Sequence, residues 1–273
     1  MKSINIENVV DAIVKTGWRF KRTGQTRFDV KEKEDGIIST SYDALVEVEL
    51  MHVLQRINED AKFLSEESYG KGSKQFPTVN TVMTDGDVFV IDPIDGTLNF
   101  FNKLPLFTIS VAMFRNGRPM LGVIYDVSND TAYYAEYNSG IAKMSKIISL
   151  VNGEDIYATT TEVRRTVAIN EHPLYLCQKM TGPSTPIKGI YELSNTRVLG
   201  CSSLSMCYVA TNVAEFFYEE NLKIWNYAAG FIILNEARAI VSDINGNEID
   251  FSKLESSFYC SRRLKIKDGI IEE

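Results

Sequence analysis

Apolar residues recur at helical spacing in two early stretches of the chain, residues 4–20 and 41–57. In the second, Val46, Leu50, Val53, Leu54 and Ile57 stand at i, i+4, i+7, i+8 and i+11, the stripe of a helix packed on one side. The pattern then shortens. Lys62-Phe63-Leu64 predicts a short strand that ends at Ser65-Glu66-Glu67-Ser68. Residues 69–85, rich in Gly, Ser, Lys, Thr and Asp, read as a loop or hairpin. Residues 87–91 are a continuous apolar run, a buried strand. Residues 107–114, 120–126 and 131–137 alternate apolar and polar side chains between Asn-Gly and Ser-Asn-Asp turns, which predicts an antiparallel meander. No period stands out over 138–165. Strand patterns return at 166–169, 189–199 and 215–219, and helical ones at 201–211 and 225–237. Strands first, then helices interleaved with strands, predict an α/β fold of layered elements. A boundary near 140–165 divides it into subdomains 1–145 and 146–273.

The remaining global features narrow the class. At 273 residues, 44% hydrophobic and 24% charged, the chain has the composition of a globular protein with a large core. A net charge of −7 argues against nucleic acid as a partner. No apolar run approaches the roughly 18 residues of a membrane span, and the first 20 residues lack a signal-peptide core. Cys177, Cys201, Cys207 and Cys260 form no CxxC pair and read as reduced thiols of a cytoplasmic protein. The two histidines, His52 and His172, leave little room for a histidine triad or zinc cluster.

The chemistry concentrates in Ile91-Asp92-Pro93-Ile94-Asp95-Gly96-Thr97-Leu98-Asn99-Phe100. Two aspartates three apart follow the buried strand, and Pro93 fixes a sharp turn between them. Like charges brought together in a low-dielectric site repel unless a cation neutralises them or one takes up a proton. Hard oxygen ligands suit Mg²⁺, which pairs readily with phosphate. Gly96 and Thr97 open a short helix whose first N–H groups can face an anion. Read blandly, this is an acidic turn in which Asp95 caps the helix.

The whole string is more specific. Asp-Pro-Ile-Asp-Gly-Thr followed by Asn-Phe resembles the signature of the inositol monophosphatase family of Mg²⁺-dependent, lithium-sensitive phosphatases. Further pieces follow in that family's order. Residues 63–68 resemble its acidic motif, with Ser65 in place of Gly. Ser41-Tyr42-Asp43-Ala44-Leu45-Val46-Glu47 resembles its Thr-x-x-Asp-x-x-x-Glu helix start. Leu199-Gly200-Cys201-Ser202-Ser203 resembles its substrate loop, and Ile224-Trp225-Asn226-Tyr227-Ala228-Ala229-Gly230 its Trp-Asp-x-Ala-Ala-Gly motif. The resemblance implies an αβαβα sandwich, a homodimer and a small phosphorylated metabolite as substrate. That metabolite would be an inositol or sugar phosphate, with 3′-phosphoadenosine 5′-phosphate, fructose bisphosphate and histidinol phosphate as alternatives among related members. It also implies two or three Mg²⁺ ions, with Mn²⁺ as a substitute. Glu66, Asp92 and the Ile94 carbonyl would hold the first, and Asp92, Asp95 and residue 226 the second. A water oriented by Glu66 and by Thr97, itself hydrogen-bonded to Asp43, would be the nucleophile. Phosphate would rest on the N–H groups of Gly96 and Thr97. Glu219 would grip a hydroxyl of the leaving alcohol, in a pocket lined by Gly200, Cys201 and Ser202. Glu67 would be a solvated neighbour of Glu66.

Asn226 departs from this pattern, since the family has aspartate there. An amide oxygen can still coordinate Mg²⁺ but adds no charge, so the second position would weaken. Asn226 would also suit the cap of a helix starting at Tyr227. The expectation is therefore a weakened enzyme or, alternatively, a non-catalytic member with a binding or regulatory role. A further departure is Glu236-Ala237-Arg238-Ala239, where the family has Glu-Ala-Gly-Gly, so Arg238 would bring bulk and charge into a tight packing position.

Overall fold

The computed structural model describes residues 4–22, 29–32, 38–69, 79–84, 86–151, 155–163, 173–177, 195–267 and 270–272. Helix α1 (Ile6–Arg22) is followed by the paired strands β1 (Val30–Glu32) and β2 (Ile38–Thr40), and then by helix α2 (Ser41–Ile57). Strand β3 (Lys62–Ser65), the short helix α3 (Val79–Thr84), strand β4 (Asp87–Asp95) and the short helix α4 (Thr97–Phe101) come next. The meander β5 (Thr108–Arg115), β6 (Arg118–Asp126) and β7 (Thr131–Glu136) continues into β8 (Ala142–Val151) and β9 (Asp155–Val163). Strands β3 to β9 form one sheet in sequence order, parallel between β3 and β4 and antiparallel beyond.

Strands β10 (Tyr175–Cys177) and β11 (Thr196–Arg197), helix α5 (Ser202–Ala210), β12 (Phe216–Lys223), helix α6 (Ile224–Glu236), β13 (Ile240–Ser242) and β14 (Glu255–Ser261) follow. Their strands make a second sheet in the order β11-β10-β12-β14-β13. A two-stranded ribbon, β15 (Lys265–Lys267) with β16 (Ile270–Glu272), closes the described chain.

The layers follow from the period-2 alternation of the central strands. In β4, Phe89 and Ile91 join the core made with α1 and α2, while Val88 and Val90 join the core made with α5 and α6. In β5, Val111 and Met113 point to the first core, and Ala112 and Phe114 to the second. With both faces covered, such strands lose the polar alternation of half-exposed ones. Helix α6 packs on the large sheet on one side and on the second sheet on the other. The described residues therefore supply four alternating layers of the αβαβα order: helices, sheet, helices, sheet.

Several expectations change here. The stretch 138–165, featureless in sequence, supplies β8 and β9 of the large sheet, and the expected division between residues 145 and 146 falls inside β8. Within 69–85, residues 79–84 form a helix and not a hairpin; 70–78 and 85 lie outside the described residues. The strand expected at 166–169 also lies outside them, as does His172. His52 is exposed, and all four cysteines are free and buried. Arg238 takes φ +60° just past α6, the left-handed position where helices favour glycine, and its side chain is exposed, so it enters no packed interior. No helix among the described residues is long and apolar enough to cross a membrane.

Candidate active site

The site begins where the parallel pair β3 and β4 ends. Ser65 lies opposite Ile91, and Glu66 donates its backbone N–H to the Ile91 carbonyl at 3.2 Å. The turn 66–69 and the turn after Ile91 therefore leave the same edge of the sheet. In β4 the parity that sends Val88 and Val90 toward α6 sends Asp92 the same way. Asp92 is opposite Ser110 and Asp95 opposite Thr108, so one extra residue is accommodated between them. This bulge contains Pro93, which has no N–H to leave unpaired.

Gly96 makes the next step possible. Its φ is +88°, and a Cβ there would lie 2.7 Å from the Leu106 carbonyl oxygen. The chain turns at once into α4, and Asn99 in that helix reaches across to the substrate loop. Its amide nitrogen donates to the carbonyls of Leu106 (2.8 Å), Leu199 (2.8 Å) and Gly200 (3.2 Å). Gly200, at φ +71°, accepts this close approach because it has no side chain. The sequence string gives Asn99 no role, because two of its three partners, Leu199 and Gly200, lie far along the chain.

A buried polar frame surrounds the carboxylates. Thr97 Oγ1 lies 3.0 Å from Asp43 Oδ1 and 2.9 Å from the Ile94 carbonyl. Asp43 Oδ2 accepts from Thr40 N (2.8 Å) and Thr40 Oγ1 (2.6 Å), a capping box at the start of α2. Thr40 was missed, although Thr-x-x-Asp is a helix-start pattern. Glu47 is buried and accepts from the Glu67 N–H (2.8 Å) and the hydroxyls of Ser65 and Ser68, so α2 fixes the acidic turn. Ser65 thus supplies a hydroxyl that glycine could not. Glu67 is buried, with Ser39 Oγ donating to it at 3.0 Å, and Glu66 is half-buried. The expectation of a solvated Glu67 is corrected: parallel pairing at Ser65 directs its side chain inward.

Asp95 is held firmly. Its Oδ2 accepts from Ser203 N (2.6 Å), Ser203 Oγ (2.5 Å) and Cys201 Sγ (3.4 Å), and Ser203 Oγ is 2.5 Å from Thr108 Oγ1. Cys201 is fully buried, and its thiol donates to the Asp95 carboxylate. Ser202 Oγ donates to Glu219 Oε2 at 2.6 Å. Asn226 also differs from expectation. Helix α6 starts at Ile224 with Lys223 as its cap, so Asn226 is already inside the first turn. Its Nδ2 donates to Asp92 Oδ2 at 2.7 Å.

Electrostatics agree with this crowding. Burial pushes Asp92 well above the ordinary carboxylate range; the charges of Glu66, Asp95 and Asp43 add to the rise, and the Asn226 hydrogen bond opposes it. Burial also raises Asp95, against the hydrogen bonds from Ser203, Cys201 and Ser202. It raises Asp43, against those from Thr40 and Thr97. Glu219 is pushed up to about 8, chiefly by burial, with Ser202 opposing and Asp95 adding.

The donors are all oxygens of carboxylates, carbonyls and a hydroxyl, the set that hard divalent cations select. Asp92 Oδ1 is buried and has no hydrogen-bond partner. Such an atom costs free energy unless a proton or cation satisfies it. The Ile94 carbonyl has a second lone pair beyond the Thr97 contact. As the side chains stand, no three His, Cys, Asp or Glu among the described residues are gathered closely enough to hold a metal ion. The reason is visible in the geometry. Asp95 Oδ2 is taken by Ser203 and Cys201, residue 226 is an amide, and unneutralised carboxylates repel. The atom left open for a hard cation is Asp92 Oδ1.

Comparison with known proteins accords with this frame. The description of the inositol monophosphatase family matches residues 4–273. A fructose-1,6-bisphosphatase/inositol-1-monophosphatase of Thermotoga maritima is 28% identical over 260 residues, covering 90% of each chain. Inositol monophosphatase 1 of Sus scrofa is 30% identical over 221 residues, covering 77% of this chain and 73% of its own. The fold resembles the crystal structure of staphylococcal inositol monophosphatase-1 with a TM-score of 0.75, at 18% identity and over 96% of this chain and 92% of that one. The chain belongs to the inositol monophosphatase family.

Proposed function

We propose that this protein is a divalent-cation-dependent phosphomonoesterase that hydrolyses a small phosphorylated metabolite, an inositol or sugar phosphate in class. The observation that carries the reading is Asp92 Oδ1, a buried carboxylate oxygen without a hydrogen-bond partner, set among the charges of Glu66, Asp95 and Asp43. Glu66, Asp92 and the Ile94 carbonyl would hold Mg²⁺ or Mn²⁺. When bound, the cation supplies positive charge for phosphate oxygens and lowers the pKa of a water.

The chain's own groups do the rest. Thr97 Oγ1 gives its proton to Asp43 or to the Ile94 carbonyl, so it can only accept from a water beside it. That hydrogen bond turns the water's free lone pair outward, toward a phosphate seated at the N–H groups of Gly96 and Thr97. Glu66, which is half-buried, would take the water's other proton. Glu219, held by Ser202, faces a hydroxyl of the alcohol, and the Gly200 turn bounds its pocket. The exposed Leu98, Phe101 and Leu104 around α4 support a homodimer, and four buried free cysteines support a reducing, cytoplasmic setting.

Asn226 favours a second reading, a member of the fold that binds phosphorylated ligands without turning them over. Phosphate release from inositol, sugar, nucleotide and histidinol phosphates across a Mg²⁺ titration decides between the two. Metal-dependent release that is lost in Asp92→Asn supports the enzyme; background release on the whole panel at saturating Mg²⁺ rejects it.

A further inference from the structure

We infer that Asn226 serves this site as a hydrogen-bond donor to Asp92 and not as an oxygen ligand, so that the chain holds one tightly bound divalent cation. The inference rests on the metal-centred reading of the site and specifies its stoichiometry.

Three contacts lead to it. Asn226 Nδ2 lies 2.7 Å from Asp92 Oδ2. With a cation on its other oxygen Asp92 is ionised, and an ionised carboxylate only accepts, so the amide presents its NH₂ side there; its oxygen in that place would set two acceptors against each other. A cation shared by Asp92 and residue 226 would sit between their facing atoms, and that line is occupied by an N–H. Next, Asp95 Oδ2 already accepts from Ser203 N, Ser203 Oγ and Cys201 Sγ, so half of that carboxylate is spent on the protein. Lastly, Asp92 Oδ1 has no hydrogen-bond partner, and it is the open atom of this carboxylate. The amide's partial positive charge satisfies one oxygen of Asp92 and leaves the other for a cation. Aspartate at 226 would instead bring a second carboxylate to hydrogen-bond distance of Asp92, an arrangement that requires another cation.

The experiment counts ions directly. Purified full-length protein is stripped of metal and titrated with Mn²⁺ by equilibrium dialysis and calorimetry, beside Asn226→Asp and Asn226→Ala, and each is melted with and without metal. The expected result is one tight Mn²⁺ per wild-type chain. Asn226→Ala keeps that stoichiometry, because it removes a donor and no ligand. Asn226→Asp gains a second ion bound at least ~10-fold more tightly than any second wild-type ion, since added ligand charge raises affinity. Its melting temperature falls below wild type without metal and recovers with Mn²⁺. Two ions of comparable affinity in wild type, one of them lost in Asn226→Ala, would overturn the inference while leaving the metal site intact. No Mn²⁺ on wild type or on either variant would remove the metal-centred reading and the inference with it.

Discussion

Glu219 shows how one residue links pocket and stability. Its carboxylate is half-buried, accepts from the Ser202 hydroxyl and is pushed up by burial to about 8, against an ordinary 4.5. Its folded value lies above its unfolded one, so the native state binds more protons between those two values. Stability from this group is present in full below 4.5 and is lost as pH rises toward 8. Glu219→Gln keeps a partner for Ser202 and removes the titration. In metal-free buffer, thermal melts at stepped pH should show the wild-type Tm falling across this window by on the order of a few degrees more than that of the variant. Parallel curves for the two proteins would contradict the assignment. Asp92, Asp95 and Asp43 are raised as well, so the variant should retain part of the slope.

At the scale of elements, the site depends on two helix starts that differ in what they tolerate. Thr40 caps α2 and holds Asp43 through both its N–H and its hydroxyl. Thr40→Ala keeps the backbone bond, so it should cost about 1 kcal/mol, and it should lower turnover by loosening the carboxylate beside Thr97. Gly96 starts α4 at φ +88°, with the Leu106 oxygen where a Cβ would be. Gly96→Ala combines a left-handed backbone with a backbone clash, so it should cost roughly 2–4 kcal/mol. Urea denaturation of both variants checks the ranking; equal losses would mean that the turn relaxes freely around Gly96. The sequence pattern locates both helices but not Thr40 as the cap, because the apolar period that marks α2 starts only beyond Ser41.

For the whole molecule, the exposed apolar side chains Leu98, Phe101 and Leu104 cluster on α4 and the turn after it, next to the site. A charge placed among them by Leu104→Glu should convert a dimer to monomers in light scattering, with circular dichroism unchanged. A wild-type monomer at micromolar concentration would reject the dimer.

The sequence by itself determined the two long helices, the buried signature strand and the meander, because each depends on local periodicity and on the choice between one covered face and two. It also singled out Asp43, Glu66, Asp92, Asp95 and Thr97 as candidates, through motifs whose spacing is local. Only the tertiary structure decided what those groups touch. Strands β8 and β9 were invisible because polar residues suit an outlying part of a sheet. Glu67 turned inward, the Cys201 thiol turned to Asp95, and Ser203, Thr108 and Asn99 became supports, because their partners stand far along the chain. Asn226 makes the same point most sharply. A sequence can show an amide where an acid is expected, but whether that amide offers its oxygen or its nitrogen depends on the charge of the group across from it.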